Sequence, residues 1–333
     1  MIAEADLAAL GIHRISIPIP FLEAGGPVNA YAVEDRDGGL LLFDSGLGSP
    51  QASAAMAEGL ARIGRSPRDV SRIVVSHGHI DHYGGAAGLL EQAVHKVPVH
   101  AHPRDIHKMA EGHPRWIDEV PAYASFFQRL GVPAEVMVEA WAQVKDGFTK
   151  ARRIPRVEPL DLSVPLRMKH VTLEPMHMPG HTPGLLCLYD REHRLFLSDD
   201  HLLEHVSPNP LIELGPDGSE EWRPLVAYLE SVGRLRDLEV DLVLPGHATP
   251  FGDHRAVIDR LLAFYGKRQE RIREELRGGP LTGWEVTRRL FPRAPPAAMF
   301  LTVSEALANL EVLEARGEVL RDDDGELLRF GRG

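Results

Sequence analysis

The chain has 333 residues, a formal net charge of −11 and 44% hydrophobic residues, which is typical of a soluble globular protein. This composition excludes disordered, collagen-like and coiled-coil chains, and no stretch approaches the roughly 20 apolar residues needed to span a bilayer. The negative charge opposes passive attraction to nucleic acid or anionic lipid. Cys187 is the single cysteine, so no internal disulfide is expected, and a cytoplasmic location is the simplest expectation.

The first third of the chain has the pattern of short strands that alternate with helices. An antiparallel meander is predicted first, followed by a helix, a buried strand that stops at a histidine cluster, and a further helix and strand. The predicted strands are 15–19, 28–33, 40–43, 72–76 and 97–101, and the predicted helices are 51–63 and 84–92.

A helical insertion is expected at about 103–158, because this stretch carries large apolar residues at helical spacing. Those residues are Trp116, Phe126, Phe127, Leu130, Met137 and Trp141. In the sequence, the insertion lies between two groups of residues that are candidates for one functional site. It is therefore predicted to be either a lid or a plain scaffold.

Strands return at 171–177, 185–189, 194–198 and 240–244, with helices at 220–235 and 255–275. Residues 278–280, Gly-Gly-Pro, mark a predicted domain boundary, with a catalytic domain over 1–277 and a small winged-helix-like domain over 278–333. The smaller domain holds seven arginines, no lysine and nine acidic residues. A packing or dimerisation role is therefore favoured over DNA binding.

The segment Ser76-His-Gly-His-Ile-Asp-His82 concentrates metal-binding chemistry directly after a buried strand. Imidazole and carboxylate groups are ligands that Zn²⁺ and similar divalent metals accept. Residues two apart in an extended segment project to the same side, so His77 and His79 can share one ion. Asp81 and His82 can then face a second ion. Further candidate ligands follow other strands, at His181, Asp199, Asp200 and His247.

Five motifs in order, FDSG (43–46), HGHIDH (77–82), PGHTPG (179–184), SDDHLL (198–203) and PGH (245–247), resemble the metallo-β-lactamase superfamily of hydrolases. The resemblance implies an α+β fold, a four-layer αββα sandwich of two sheets with the metals at one edge. It also implies that the first metal is held by His77, His79 and His181, and the second by Asp81, His82 and His247. Asp200 would bridge the two metals, in preference to Asp199, and Asp44 would orient the ligand loop.

This ligand set predicts an enzyme with two divalent ions, with Zn²⁺ preferred and Mn²⁺ or Fe²⁺ as alternatives. Two such ions can lower the pKa of a bridging water to give a hydroxide nucleophile while they polarise the scissile group. Asp81 is the candidate catalytic residue that helps to protonate the leaving group, and a water on the second metal is the alternative. The prediction is hydrolysis without a covalent enzyme intermediate.

Three enzymatic hypotheses remain open from the sequence. The first is hydrolysis of a carboxylic ester or thioester, as in acyl thioesterases and glyoxalase II, with the insertion forming an apolar acyl pocket. The alternative is a phosphodiesterase or endoribonuclease, and a lactonase or β-lactamase is a minor possibility. A non-catalytic binding module is disfavoured by the full ligand set.

The expected partner is a small-molecule or acyl substrate. Nucleic acid is not favoured as a partner, no membrane is expected, and a homodimer is an open possibility.

Overall fold

The computed structural model describes residues 4–20, 26–215 and 222–333, except for the side chains of 4–5, 113–116 and 143–148. Within these residues the strands are β1 (Ile12–Ile17), β2 (Val28–Glu34), β3 (Leu40–Phe43), β4 (Val70–Val74), β5 (Val99–Ala101), β6 (Glu158–Pro159), β7 (Leu166–Arg167), β8 (Thr172–His177), β9 (Leu186–Asp190), β10 (Leu195–Asp199), β11 (Leu242–Pro245), β12 (Leu281–Thr282), β13 (Val319–Asp323) and β14 (Leu328–Arg332). The α-helices are α1 (Pro50–Arg62), α2 (Ile80–Tyr83), α3 (Ala86–Gln92), α4 (Pro103–Glu111), α5 (His113–Arg129), α6 (Ala134–Phe148), α7 (Pro224–Arg236), α8 (His254–Glu275), α9 (Gly283–Leu290) and α10 (Met299–Ala315).

Two mixed sheets form the centre of the molecule. The first has the order β1-β2-β3-β4-β5-β6, and the second has the order β11-β10-β9-β8-β7. The meander β1-β2-β3 is antiparallel, as predicted, whereas β3, β4, β5 and β6 pair in parallel. In the second sheet β10 and β11 are parallel. Parallel neighbours end at the same sheet edge, so the residues that follow these strands are brought together.

Successive side chains of each strand point to opposite faces of its sheet, and both faces are buried. Leu40 and Leu42 of β3 pack with α1, whereas Leu41 and Phe43 pack against the second sheet. In β9 the pattern repeats, because Leu188 faces the first sheet and Cys187 faces the layer of α7 and α8. Both faces are buried, so these strands appear as continuous apolar runs in the sequence. The α+β, four-layer αββα architecture is therefore confirmed.

The helical insertion packs as a scaffold rather than as a separate lid. Phe126, Phe127 and Leu130 of α5 share one hydrophobic core with the segment that follows residue 278, including Leu310 of α10 and Phe330 of β14. Phe126 is 4% exposed, and Phe127 and Leu130 are fully buried. The prediction that these aromatic and apolar side chains line an open acyl pocket is wrong, because the core already encloses them. The side chain of Trp116 lies outside the described residues.

The C-terminal segment contains β12, α9, α10 and the β13–β14 hairpin, with the strands in the order β12-β14-β13. Residues Pro296–Ala315 are long and apolar enough by composition to cross a membrane, which the sequence analysis did not anticipate. However, 61% of that stretch is buried inside the protein, and a central helix of a folded core passes the same test. The winged-helix interpretation and the division at 277 stay predictions.

Candidate metal centre

Asp44 fixes the loop that carries the histidine cluster. It follows β3 with a positive φ of 64°, and its carboxylate accepts hydrogen bonds from the Ser76 backbone N–H (2.7 Å) and the Ser76 hydroxyl (2.8 Å). The same carboxylate lies 2.9 Å from Nδ1 of His82. The end of β3 therefore orients the segment that leaves β4, which is the role that the family resemblance implies for Asp44.

The structure brings all seven predicted ligand residues together at one edge of the two sheets. Potential ligand atoms lie within 4.8 Å of one another in three overlapping groups. These groups are His77, His79 and His181; Asp81, His82 and His247; and His77, His82, Asp199 and Asp200. The first two groups are the two trios that the sequence analysis proposed.

Asp200 lies between the two trios. One carboxylate oxygen is 3.4 Å from Nε2 of His181 and 3.5 Å from Nε2 of His82, and the other is 3.5 Å from Nε2 of His247. Asp200 therefore contacts members of both trios, which is the position expected of a bridging ligand.

Asp199 has a different position from Asp200. Its carboxylate oxygens lie 3.1 Å from Nδ1 of His77 and 3.4 Å from Nδ1 of His82, whereas Asp200 contacts Nε2 of His82. Asp199 has a positive φ of 48°, and this turn directs the two consecutive carboxylates to different sides. The geometry favours Asp200 over Asp199 as the bridging residue, and Asp199 orients the two imidazole rings.

Hydrogen bonds on the outer nitrogens set the orientation of the other histidine rings. Nδ1 of His181 donates to the backbone carbonyl of Asn209 at 3.0 Å, and Nδ1 of His247 lies 3.4 Å from the carbonyl of Gly26. Because a carbonyl can only accept, the proton sits on Nδ1 of His181 and the Nε2 lone pair faces inward. This is the usual arrangement of metal-binding histidines.

Several inward-facing atoms lack a hydrogen-bond partner among the described residues. Nε2 of His77, Nε2 of His82 and Oδ1 of Asp200 are all buried and unsatisfied. Buried lone pairs of this kind are costly unless a donor or a cation occupies the space that they face. The donor set of imidazole nitrogens and carboxylates therefore fits divalent metal ions.

The carboxylates give the cluster a preference for positive charge. Burial by itself lowers the pKa of His82, but the negative charges of Asp199, Asp200 and Asp81 outweigh burial and raise that pKa well above its usual value. Burial likewise opposes protonation of His247, yet Asp200 raises its pKa to about 9. By contrast, burial and the neighbouring His77 hold the pKa of His79 well below its usual value. A bound cation would replace the protons that His82 and His247 otherwise carry.

Asp105 is a structural residue of the site that the sequence analysis missed. From the first turn of α4 its carboxylate accepts hydrogen bonds from Gly78 N–H (3.0 Å), the Thr182 hydroxyl (2.7 Å) and Gly184 N–H (3.1 Å), and it pairs with Lys108 at 3.1 Å. It thus joins the His77–His82 loop to the turn that carries His181. In the sequence it resembles an ordinary acidic residue at a helix N-terminus, and only its burial distinguishes it.

The turn after β11 holds His247 and passes very close to Asp200. Tyr31 and Asn29 of β2 fix this turn from the other sheet, since both donate to the Pro245 carbonyl, at 2.8 and 2.9 Å. A Cβ at Gly246 would overlap Oδ1 of Asp200 and come within 3.1 Å of Cε1 of His82. Glycine at this position is required by the close approach of the backbone to the ligands.

Gly246→Ala should therefore displace Asp200 while every ligand residue is retained. We expect activity to fall about 10²-fold, the effect of misplacing a reacting group by about 1 Å. The measurements are hydrolytic turnover and metal content of the purified protein. Gly252→Ala is the matched control, because its Cβ would lie 3.5 Å from the nearest atom, the carbonyl oxygen of Asp241. Equal activity of the two variants would contradict this account of Gly246.

Comparisons with known proteins agree with this geometry. The sequence profile described as "Metallo-beta-lactamase superfamily" matches residues 24–247. The probable metallo-hydrolase YqjP of Bacillus subtilis is 28% identical over 320 residues, which cover 96% of this chain and 97% of that protein. The acyl-coenzyme A thioesterase MBLAC2 of Gallus gallus is 31% identical over 255 residues, which cover 71% of this chain and 77% of that protein.

Among solved structures, a metallo-beta-lactamase family protein of Thermus thermophilus superposes with a TM-score of 0.80 at 30% identity. The superposition covers 97% of this chain and 99% of that protein, so the similarity extends through the insertion and the C-terminal segment.

Proposed function

We propose that this chain, which belongs to the metallo-beta-lactamase superfamily of metal-dependent hydrolases, cleaves acyl thioesters. The observation that carries the proposal is the position of Asp200, whose carboxylate oxygens lie within 3.5 Å of imidazole nitrogens from both trios. One carboxylate that contacts two ligand sets is suited to a pair of ions that act together on one substrate group.

The residues of the chain have separate roles in this proposal. The two trios would hold the ions, with Asp200 between the trios, and Asp44 and Asp199 keep the imidazole rings in position. When bound, two divalent ions supply an activated water and polarise the scissile carbonyl. Zn²⁺ is the proposed metal, because imidazole and carboxylate ligands suit it. Asp81 is partly accessible, at 14% side-chain exposure, so it can also move a proton to the departing group.

Two observations support a thioester rather than a nucleic acid as the substrate. The net charge of −11 disfavours approach of a nucleic acid chain to the protein. Relatives from chicken and human are named acyl-coenzyme A thioesterases, and each alignment covers 71% of this chain. The acyl group would have to be bound elsewhere than among Phe126, Phe127 and Leu130, since the core encloses these side chains.

The proposal is tested with the full-length, metal-loaded protein on acetyl, octanoyl and palmitoyl thioesters of coenzyme A, with release of the free thiol as the readout. A phosphodiester reporter, a lactone and a β-lactam are assayed in parallel. We expect thioester cleavage with kcat/KM of about 10⁴ M⁻¹ s⁻¹ or above, the lower end of the range for enzymes on their own substrates. Turnover of the phosphodiester alone would overturn the thioester assignment and make RNA the substrate to pursue.

A further inference from the structure

Residues 208–214, here called the strap, connect the metal centre to distant parts of the chain. The strap begins a few residues after Asp200 and runs between the insertion and the C-terminal segment. Ile212 and Leu214 are buried in the core that these two parts share. The strap is therefore fixed by its side chains as well as by the polar contacts described next.

One backbone group of the strap contacts a predicted metal ligand directly. The carbonyl oxygen of Asn209 accepts the hydrogen bond from Nδ1 of His181 at 3.0 Å. This bond keeps the proton on Nδ1, and it aims the Nε2 lone pair toward His79 and Asp200. A shift of the strap would leave the His181 ring free to rotate and to change its tautomer.

The C-terminal helix α10 and the insertion hold the strap in place. The backbone N–H of Ile212 donates to the Ser304 hydroxyl of α10 at 3.2 Å, and the side-chain amide of Asn209 lies 3.4 Å from the carbonyl of Leu301. From α5, the Tyr123 hydroxyl accepts from the N–H of Leu214 at 3.1 Å. Ser304 is fully buried, so water cannot replace it as the partner of Ile212.

A partly buried ion pair anchors the strap on its other side. Lys108 of α4 contacts Glu213 at 2.6 Å and Asp105 at 3.1 Å. The strap is thus connected to the same Asp105 that joins the His77–His82 loop to the His181 turn. Contacts from α4, α5 and α10 converge on these few residues.

We propose that Ser304 is a positioning residue for the metal centre, which acts on His181 through the strap. The inference rests on the proposed function, because it takes His181 to be a metal ligand. Loss of the Ser304 hydroxyl leaves the N–H of Ile212 buried without an acceptor, and the strap moves to satisfy it. The carbonyl of Asn209 moves with the strap, and His181 loses the bond that orients it. Metal binding to the trio of His77, His79 and His181 weakens, whereas the trio of Asp81, His82 and His247 is unaffected.

The test measures stepwise Zn²⁺ affinity of the full-length apoprotein by competition with a chromophoric chelator. His181→Ala identifies which binding step depends on that residue. We expect Ser304→Ala to weaken the same step about 10-fold, the lower end of the effect of removing a group that orients a ligand. Tyr123→Phe is a second variant, which removes the hydroxyl that holds Leu214 and should weaken the same step. Thr302→Val is the matched control. The Thr302 hydroxyl donates to the backbone carbonyls of Ala298 and Met299, which lie outside the strap.

Each outcome separates this inference from the proposed function. A wild-type protein that binds no metal would overturn the proposed function and the inference with it. Unchanged affinity of Ser304→Ala, with weakened binding by His181→Ala, would overturn the inference alone. Equal weakening of both steps together with a lower melting temperature of the apoprotein would show a merely structural role for Ser304 and also overturn it.

Discussion

Asp200→Asn should reduce kcat/KM by at least about 10³-fold, equivalent to roughly 4 kcal/mol of lost transition-state stabilisation. Asparagine keeps the shape of the side chain but removes the negative charge between His82, His181 and His247. Two positive ions held by the trios would then lack the Asp200 carboxylate, whose negative charge offsets their mutual repulsion. The metal content of the purified variant should accordingly fall below that of the wild-type protein.

The matched control for Asp200→Asn is Asp241→Asn. Asp241 is a partly exposed aspartate next to β11 that lies outside the three ligand groups, and it pairs with Arg194 at 3.7 Å. Its substitution should leave both turnover and metal content unchanged. Full activity and full metal content of Asp200→Asn would show that Asp200 does not bridge the site.

Asp105→Ala should lower the free energy of unfolding by about 3–5 kcal/mol, because it leaves three donors without their acceptor at about 1–3 kcal/mol each. These donors are Gly78 N–H, Gly184 N–H and the Thr182 hydroxyl, and the substitution also leaves the partly buried Lys108 paired with Glu213 alone. Urea denaturation of the metal-free protein measures this change. Asp118→Ala is the control, because Asp118 is an exposed carboxylate on α5 and should change stability by no more than about 0.5 kcal/mol.

The stabilising effect of Asp105 should also depend on pH. Burial opposes ionisation of Asp105, but Lys108 and the hydrogen bond from Thr182 outweigh burial and lower its pKa from 3.8 to about 2. A carboxylate with a lowered pKa in the folded state stabilises the protein above its unfolded pKa and loses that effect as the pH falls through the folded value. The stability difference between the wild-type protein and Asp105→Asn should therefore be constant near neutral pH and shrink between about pH 4 and 2. A difference that does not change over this range would contradict the assignment.

The sequence was sufficient to predict the sheet meander, the helix after it and the residues of the histidine and aspartate cluster. Buried strands such as β3 and β10 appear as uninterrupted apolar runs, and polar residues follow directly where each strand ends. His77 and His79 lie in the loop after β4, and Asp81 and His82 lie in α2 directly after that loop. The choice of Asp200 over Asp199 depended on the residues that follow it, and the positive φ of Asp199 provides its physical basis.

Other features of the site depend on contacts between distant residues, which no local pattern encodes. Asp105 contacts Gly78 and Thr182, which lie 27 and 77 residues away in the chain. The insertion was predicted as helical, but its packing was not, because an amphipathic face does not specify the surface that it covers. Phe127 meets Phe300 of α10 with ring centroids 5.7 Å apart, although 173 residues separate them in the chain. The expectation that Phe126, Phe127 and Leu130 line an acyl pocket was wrong for this reason.

The core shared by α5 and α10 also bears on the order in which the protein folds during synthesis. Ribosomes release chains from the N-terminus onward, and a nascent chain that ends at α8 already contains all seven predicted metal ligands. It does not yet contain α9, α10 or the final hairpin, so Phe127 and Leu130 lack the surface that later covers them. The growing chain therefore exposes apolar side chains of α5 while the 169 residues between α5 and α10 are made. Chaperone binding during this interval would protect the nascent protein from aggregation until α10 arrives.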